Sequence, residues 1–260
     1  MNRIYYKNNK IKDALILAAG SGKRLGYLGN LLPKTLFPVY NKPILHHIIN
    51  FLENCGVKNI YIVVNFQKEK IYEYIKTIKN FLNLNVHFIE QNKLDGTANA
   101  ILLLEEYFKN NNFITMLGDE FFITNSFDNM LNFFYANDSI VTEAMVVENN
   151  VELIQQTCCA KLNKDGRIIE ILEKPQEPKY NICGCGIYLF RPEIFEFIRE
   201  TEIHPIRKEK EITLTINNVA KIGKAYGFML DGYHVNINDS DELLKASILF
   251  KNKLEEKIYL

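Results

Sequence analysis

The first 120 residues alternate short apolar runs with amphipathic stretches, and this alternation narrows the accessible folds more than any other feature of the chain. Residues 13–19 (DALILAA), 59–66 (NIYIVVNF), 86–91 (VHFIEQ) and 112–120 (NFITMLGDE) are apolar runs of strand length. Between them, residues 43–55 repeat apolar positions at helical spacing, with Pro43 suited to a first turn and Gly56 where a helix stops. Residues 68–82 place Ile71, Ile75, Ile78 and Leu82 on one helical face, and residues 97–108 predict a further helix. Apolar strands separated by helices predict an α/β fold, with a mostly parallel sheet covered on both faces. Ligands of such sheets bind beyond the carboxyl ends of the strands. The glycine loop after the first strand and the segment Gly118–Asp119–Glu120 both fall at that edge. After about residue 140, IVTEAMVV, CCAKLN, RIIEILEK and GIYLFRP predict short strands of an antiparallel insertion packed against the sheet's edge. No internal repeat, low-complexity tract or Pro-rich linker interrupts the chain.

Composition excludes some classes of function. The 260 residues suffice for one large domain, or a core with a small subdomain. Lys+Arg and Asp+Glu each number 31, a balance that argues against a nucleic-acid partner. No apolar run approaches the roughly 20 residues that span a bilayer. The opening segment MNRIYYKNNKIKD is polar, with no apolar signal region, so a cytoplasmic protein without a membrane partner is expected. Five cysteines, with Cys158 beside Cys159, and Cys183 and Cys185 lacking a second pair at zinc spacing, fit buried or partly buried free thiols.

The segment LAAGSGKRLGYLGNLLPKTLFPV, residues 17–39, carries the chemistry. Gly20 and Gly22 allow a turn to approach a ligand closely, and backbone N–H groups in such a turn cradle phosphate oxygens. Lys23, Arg24 and Lys34 add positive charge suited to a triphosphate. Two other phosphate motifs fail on spacing. A P-loop would need glycine at Leu17 and Ser or Thr at Arg24, and the dinucleotide fingerprint would need glycine at Leu25.

The order Ala18-Ala19-Gly20-Ser21-Gly22-Lys23-Arg24-Leu25, then Pro33-Lys34, resembles the signature of the sugar-phosphate nucleotidyltransferases, which include glucose-1-phosphate thymidylyl- and uridylyltransferases. The resemblance extends along nearly the whole chain, through Glu90-Gln91 with Asp95-Gly96-Thr97-Ala98, Leu117-Gly118-Asp119, Glu173-Lys174-Pro175, Asn181 with Gly186-Ile187-Tyr188, Arg207 with Glu211-Ile212-Thr213, and Val235-Asn236-Ile237 before Asp241-Glu242-Leu243. It implies a Rossmann-like fold of the nucleotide-diphospho-sugar transferase type in one domain. Residues 13–140 would form the nucleotide-binding core, 141–232 the sugar-binding portion, and 233–260 a second metal segment with the C-terminal helix. Nucleotide contacts are implied for Leu17, Ala19, Gly20, Ser21, Gly22, Lys23, Arg24, Gln91, Gly96, Thr97 and Asp119, with Gln91 and the Gly96 backbone reading a pyrimidine. Sugar-phosphate contacts are implied for Glu173, Lys174, Asn181, Gly186, Tyr188 and Arg207. Asp119 and Asn236 would hold Mg²⁺, and Arg24, Lys34, Lys174 and Asp119 would be catalytic. The implied partners are a nucleoside triphosphate and a sugar 1-phosphate, and homo-oligomers are common in the family.

This chain departs from the family pattern at Lys23 (usually Thr), at Glu120 (usually Asn in thymidylyltransferases), and at His234, Asn236 and Asn238, which replace Trp, Asp and Gly. These departures keep open a CTP-dependent enzyme acting on another small phosphate or phosphonate, and a non-catalytic nucleotide-sugar-binding homologue. They also leave plainer roles open: Asp119 as a helix cap, Glu173–Lys174 as a surface ion pair, Gln91 as a loop amide and Asn236 as a turn residue. His46, His47 and His87 read as packing residues.

Overall fold

The computed structural model describes residues 11–20 and 22–258, except the side chains of Lys23 and of residues 256–258. Ser21, the Lys23 side chain and the extension of residues 1–10 therefore lie outside the described residues. The fold is mixed α/β, a mainly parallel sheet flanked by helices, as the alternation of the first 120 residues requires. The chain divides into two units. One comprises Ala14–Asn92, Met116–Thr124 and Gly232–Leu260; the other comprises Met1–Asp13, Lys93–Thr115 and Asn125–Asp231.

In the first unit the strands Asp13–Leu17, Asn59–Val64 and Asn85–Glu90 lie side by side. Asn59–Val64 and Asn85–Glu90 run parallel. Ala14, Leu15 and Ile16 are fully buried, as are Ile60 and Ile62–Val64. The helix Ile44–Asn54 buries Ile44, Leu45, Ile48, Ile49 and Leu52, the i, i+4 stripe visible in its sequence. It stops at Gly56, whose N–H bonds to the Glu53 carbonyl at 2.9 Å. The helix Lys68–Ile78 buries Ile71 and Ile75 and ends before Leu82, in a 3₁₀ turn at Lys79–Phe81. Histidines 46 and 47 pack as expected. His46 Nδ1 meets Tyr74 Oη at 2.6 Å, and the His47 ring packs edge-on against Phe121 and Phe250. Burial holds both imidazoles below their ordinary pKa. His87 is exposed and stacks on Tyr61 at 4.8 Å.

Two predicted elements break in the structure. The run 112–120 is not one strand: Phe113–Leu117 ends before Gly118, and Glu120–Ile123 starts a separate strand paired antiparallel with Tyr233–Asn236. Gly118 is the cause. A Cβ there would stand 2.6 Å from Thr35 Cγ2 and 2.7 Å from the Leu17 carbonyl, so the chain turns where only glycine fits. The run 97–108 is two helices, Thr97–Leu102 and Glu105–Phe108. The Leu104 N–H bonds three residues back to Ile101, which closes the first helix and turns Leu104 into the core.

The second unit carries the strands after residue 140, in the order Ile168–Glu173, Cys158–Leu162, Ile182–Phe190, Val141–Val147, Ala225–Met229. Neighbours are antiparallel except the last pair, which is parallel. Ile182–Phe190 shifts register against Val141–Val147 between Gly184 and Tyr188. Cysteines 158, 159, 183 and 185 are buried free thiols, and Cys55 is a half-buried one. The helix Ile212–Lys221 secures the strand Ile168–Glu173 through Asn217. Its amide accepts from Ile171 N–H at 3.0 Å and donates to the Ile171 carbonyl at 2.7 Å. This satisfies one backbone pair of the strand with a side chain in place of another strand. Asn217→Ala leaves both groups unsatisfied and is expected to destabilise the protein by about 1–3 kcal/mol. A lowered urea midpoint at constant m-value is the check.

Candidate active site

In the first unit, Gly22, Lys34 and Asp119 of the predicted nucleotide and metal residues meet. The Lys34 ammonium lies 2.6 Å from Asp119 Oδ2 and 3.1 Å from Asn238 Oδ1. The lysine side chain is 11% exposed and the aspartate 32%, so the pair is shielded on the lysine side and open on the carboxylate side. Gly22 stands against it: a Cβ on Gly22 would be 3.2 Å from Lys34 Cβ. Arg24 lies on the same turn, Lys23–Leu25, and is exposed to solvent. The first-strand residues Leu17 and Ala19 lead into Gly20, which is exposed with open space around its Cα. Gln91 is 6% exposed; its N–H bonds to the Val64 carbonyl at 3.0 Å, and its own carbonyl accepts from Asn65 at 2.7 Å.

Asp119 precedes a strand, so the helix-cap reading fails. Its carbonyl accepts from Ile237 N–H at 2.9 Å, and Asn236 pairs with Glu120 across the two strands. The carboxylate and the Asn236 amide thus sit on adjoining strand ends. Mg²⁺ is the cofactor that the family resemblance implies, and these donors fit it. Both are hard oxygens, and an ammonium facing Asp119 shows that the carboxylate is placed to meet positive charge. Among the described residues no group of three or more His, Cys, Asp or Glu converges on a metal position. Asp119 and Asn236 would hold Mg²⁺ with two protein donors, leaving its other positions to phosphate oxygens and water.

Next to Asp119 lies a buried acid, Glu120, for which the sequence left open a reach to metal or ribose or a supporting place behind the ligands. Glu120 is 1% exposed, and its Oε2 is 2.7 Å from His234 Nε2. Burial raises its pKa to about 7, against the opposing pull of His234 and Lys34. This pair explains why His234 stands where the family has Trp: it meets the polar group that Glu120 introduces. Two further residues gain a role from the structure alone. Asn238 contacts Lys34, and a Cβ on Gly29 would overlap the Gly22 carbonyl, so this glycine shapes the Gly22 turn. His234, Asn236 and Asn238 alternate with buried Val235 and Ile237, a period-two pattern legible in the sequence.

The residues implied for the sugar phosphate all lie in the second unit, where Glu173 neighbours both Lys174 and Arg207. Glu173 ends its strand with a side chain 14% exposed, and Lys174 Nζ lies 3.6 Å from its carboxylate. Lys174 has φ +42°, a left-handed conformation uncommon for a non-glycine residue, and its N–H bonds to the Thr157 carbonyl at 2.7 Å. Arg207 Nε donates to Glu211 at 2.6 Å and Nη2 to Glu209 at 3.1 Å. Burial opposes the guanidinium's charge, but Glu211, Glu209 and Glu173 outweigh it and raise its pKa. Asn181 is exposed, Gly186 is buried, and buried Tyr188 stacks on Phe190 at 5.5 Å. Gly96 and Thr97 are sewn to the Arg207 segment: Lys210 N–H bonds to Asp95, Ala98 N–H to Lys210, and Ile212 N–H to the Thr97 hydroxyl at 3.0 Å.

With φ +115° and Lys210 backbone where a Cβ would sit, Gly96 has no substitute. Gly96→Ala is expected to cost about 1–3 kcal/mol in thermal unfolding through overpacking and strain. Glu120 gives stability a dependence on pH. An unfolded glutamate titrates near 4.5, whereas folded Glu120 keeps its proton to about 7. Between those values the native state binds the extra proton, so stability falls as pH rises through that window. Glu120→Gln, uncharged throughout, is expected to flatten that slope in urea midpoints compared across pH.

The family model described as nucleotidyl transferase matches residues 13–251. The chain is 35% identical over 246 residues to the bifunctional protein GlmU of Methanocaldococcus jannaschii, covering 95% of this chain and 56% of that protein. It thus spans little more than half of that relative's length. It is 28% identical over 246 residues to the glucose-1-phosphate thymidylyltransferase of Streptomyces antibioticus, covering 94% of this chain and 68% of that protein. A solved UDP-glucose pyrophosphorylase, complexed with UDP-glucose, shares the fold with a TM-score of 0.83 at 22% identity, covering 94% of this chain and 99% of that one. No described helix is long and apolar enough to cross a membrane.

Proposed function

The chain belongs to the nucleotidyl transferase family, and from that premise we propose that it joins a nucleoside triphosphate to a sugar 1-phosphate and releases pyrophosphate. The observation that carries this reading is the Lys34–Asp119 pair at 2.6 Å, set against the Gly22 turn. It supplies a fixed cation for phosphate oxygens beside a carboxylate for a divalent ion.

The reaction is an in-line displacement. An oxygen of the sugar 1-phosphate attacks the α-phosphorus, the α–β phosphoanhydride bond breaks, and pyrophosphate leaves with that electron pair. The attacking phosphate is already anionic, so no protein nucleophile is needed, and catalysis is positioning with charge stabilisation. Arg24 and Lys34 neutralise the triphosphate and the departing pyrophosphate. Lys174, held in a left-handed backbone conformation beside Glu173, neutralises the acceptor phosphate. Mg²⁺, when bound by Asp119 and Asn236, supplies further positive charge to the triphosphate.

The base read is a pyrimidine, UTP or dTTP ahead of CTP, supported by the Gln91 and Gly96 segments and by the thymidylyltransferase relative. Asn236 in place of Asp favours a second reading, CTP with another small phosphate or phosphonate as acceptor. Pyrophosphate release from a panel of the common nucleoside triphosphates, each with sugar 1-phosphates and phosphocholine, separates the two. Arg24→Ala and Asp119→Ala are each expected to lower kcat/KM by roughly a hundredfold or more, with the fold intact by circular dichroism. Near-normal turnover in either variant removes the mechanism.

A further inference from the structure

We infer that Asn238 is a positioning residue that sets the amide orientation of Asn236 for a divalent cation. This rests on the nucleotidyl-transfer reading of the same site. An ammonium group has only donors to offer. Lys34 Nζ lies 3.1 Å from the Asn238 amide, so Asn238 must turn its oxygen toward the lysine. That leaves its NH₂, a donor, facing Asn236 at 2.9 Å. A donor is met by an acceptor, so Asn236 must present Oδ1 there. Lys34's charge therefore determines, through one intervening amide, which atom Asn236 offers.

The distinction matters for an asparagine and not for an aspartate. Both terminal atoms of a carboxylate are oxygens, and either rotation serves a cation. With Oδ1 fixed by Asn238, its second lone pair would be the one left for a cation, whereas a rotated asparagine would put N–H donors in that place. Asn236 has the neutral side chain, and Asn238 supplies the orientation that this neutrality makes necessary. The backbone around it is held firmly. The Asn238 N–H bonds to Glu242 Oε2 at 2.5 Å, and Asp239 Oδ1 accepts from the Asp241 and Glu242 N–H groups at 3.0 Å. The lysine end of the relay is mostly shielded from water, which strengthens its bonds.

The test uses Mn²⁺ as a spectroscopic stand-in for Mg²⁺, titrated by electron paramagnetic resonance in the presence of UTP and, in a parallel series, dTTP. Asn238→Ala is expected to weaken Mn²⁺ binding roughly 10- to 100-fold, the usual effect of losing a partner that orients a metal ligand. The apparent Mg²⁺ requirement should rise in parallel, while KM for the sugar phosphate stays unchanged. In an Asn236→Asp background the same alanine substitution should cost no more than about twofold, because a carboxylate needs no orienting. Asn238→Ser, too short to span Lys34 and Asn236, carries the comparison if the alanine variant does not fold. Unchanged Mn²⁺ affinity in these variants, or an equal loss in the Asn236→Asp background, overturns the inference. A wild-type chain that shows no metal-dependent nucleotide binding overturns it together with the nucleotidyl-transfer reading.

Discussion

The ion pair between Lys34 and Asp119 is the contact around which the rest of the first unit is arranged. The two residues are 85 positions apart in sequence, and their meeting requires the 3₁₀ turn Lys34–Leu36 to come against the turn that precedes the Glu120–Ile123 strand. Gly118 makes this possible, because no side chain intervenes between Leu17, Thr35 and the turn that delivers Asp119. The Gly22 loop packs on Lys34 from one side, and the Tyr233–Asn236 strand closes on Asp119 from the other through Ile237. The Lys34 side chain, 11% exposed, finds acceptors for two of its donors in Asp119 and Asn238.

Electrostatics around this pair divide the acids by role. Asp119 is partly open and stands beside a cation, where its oxygens can meet positive charge from the solvent side. Glu120, its immediate neighbour, is fully enclosed and retains its proton to about pH 7, meeting His234 as a hydrogen-bonded strut. The local backbone separates them: Asp119 lies in the turn after Gly118 with its carboxylate partly open, whereas Glu120 begins the next strand with its side chain in the core. In the second unit Arg207 is tied to Glu211 and Glu209, and through Lys210 and Ile212 its segment fixes the Gly96 turn. Two motifs far apart in the chain thus form one local structure.

What the chain itself determined is what depends on near neighbours in sequence. Apolar periodicity specified the Ile44–Asn54 helix and the buried parallel strands, since burial of one face or of both is a local property of the pattern. The glycine turn with its cations and the Gly118–Asp119 strand end were legible for the same reason, because phosphate chemistry demands particular residue types at close spacing. Tertiary structure alone decided the pairings. That Asn238 bridges Lys34 and Asn236, that Glu120 meets His234, and that Asn217 caps the Ile171 backbone are contacts across 204, 114 and 46 positions. The break at Gly118 belongs with them, since it is imposed by Thr35 and Leu17 atoms that packing brings in from elsewhere. A sequence lists donors and acceptors, but hydrogen bonds are satisfied in space, and only the folded chain determines which acceptor each donor meets.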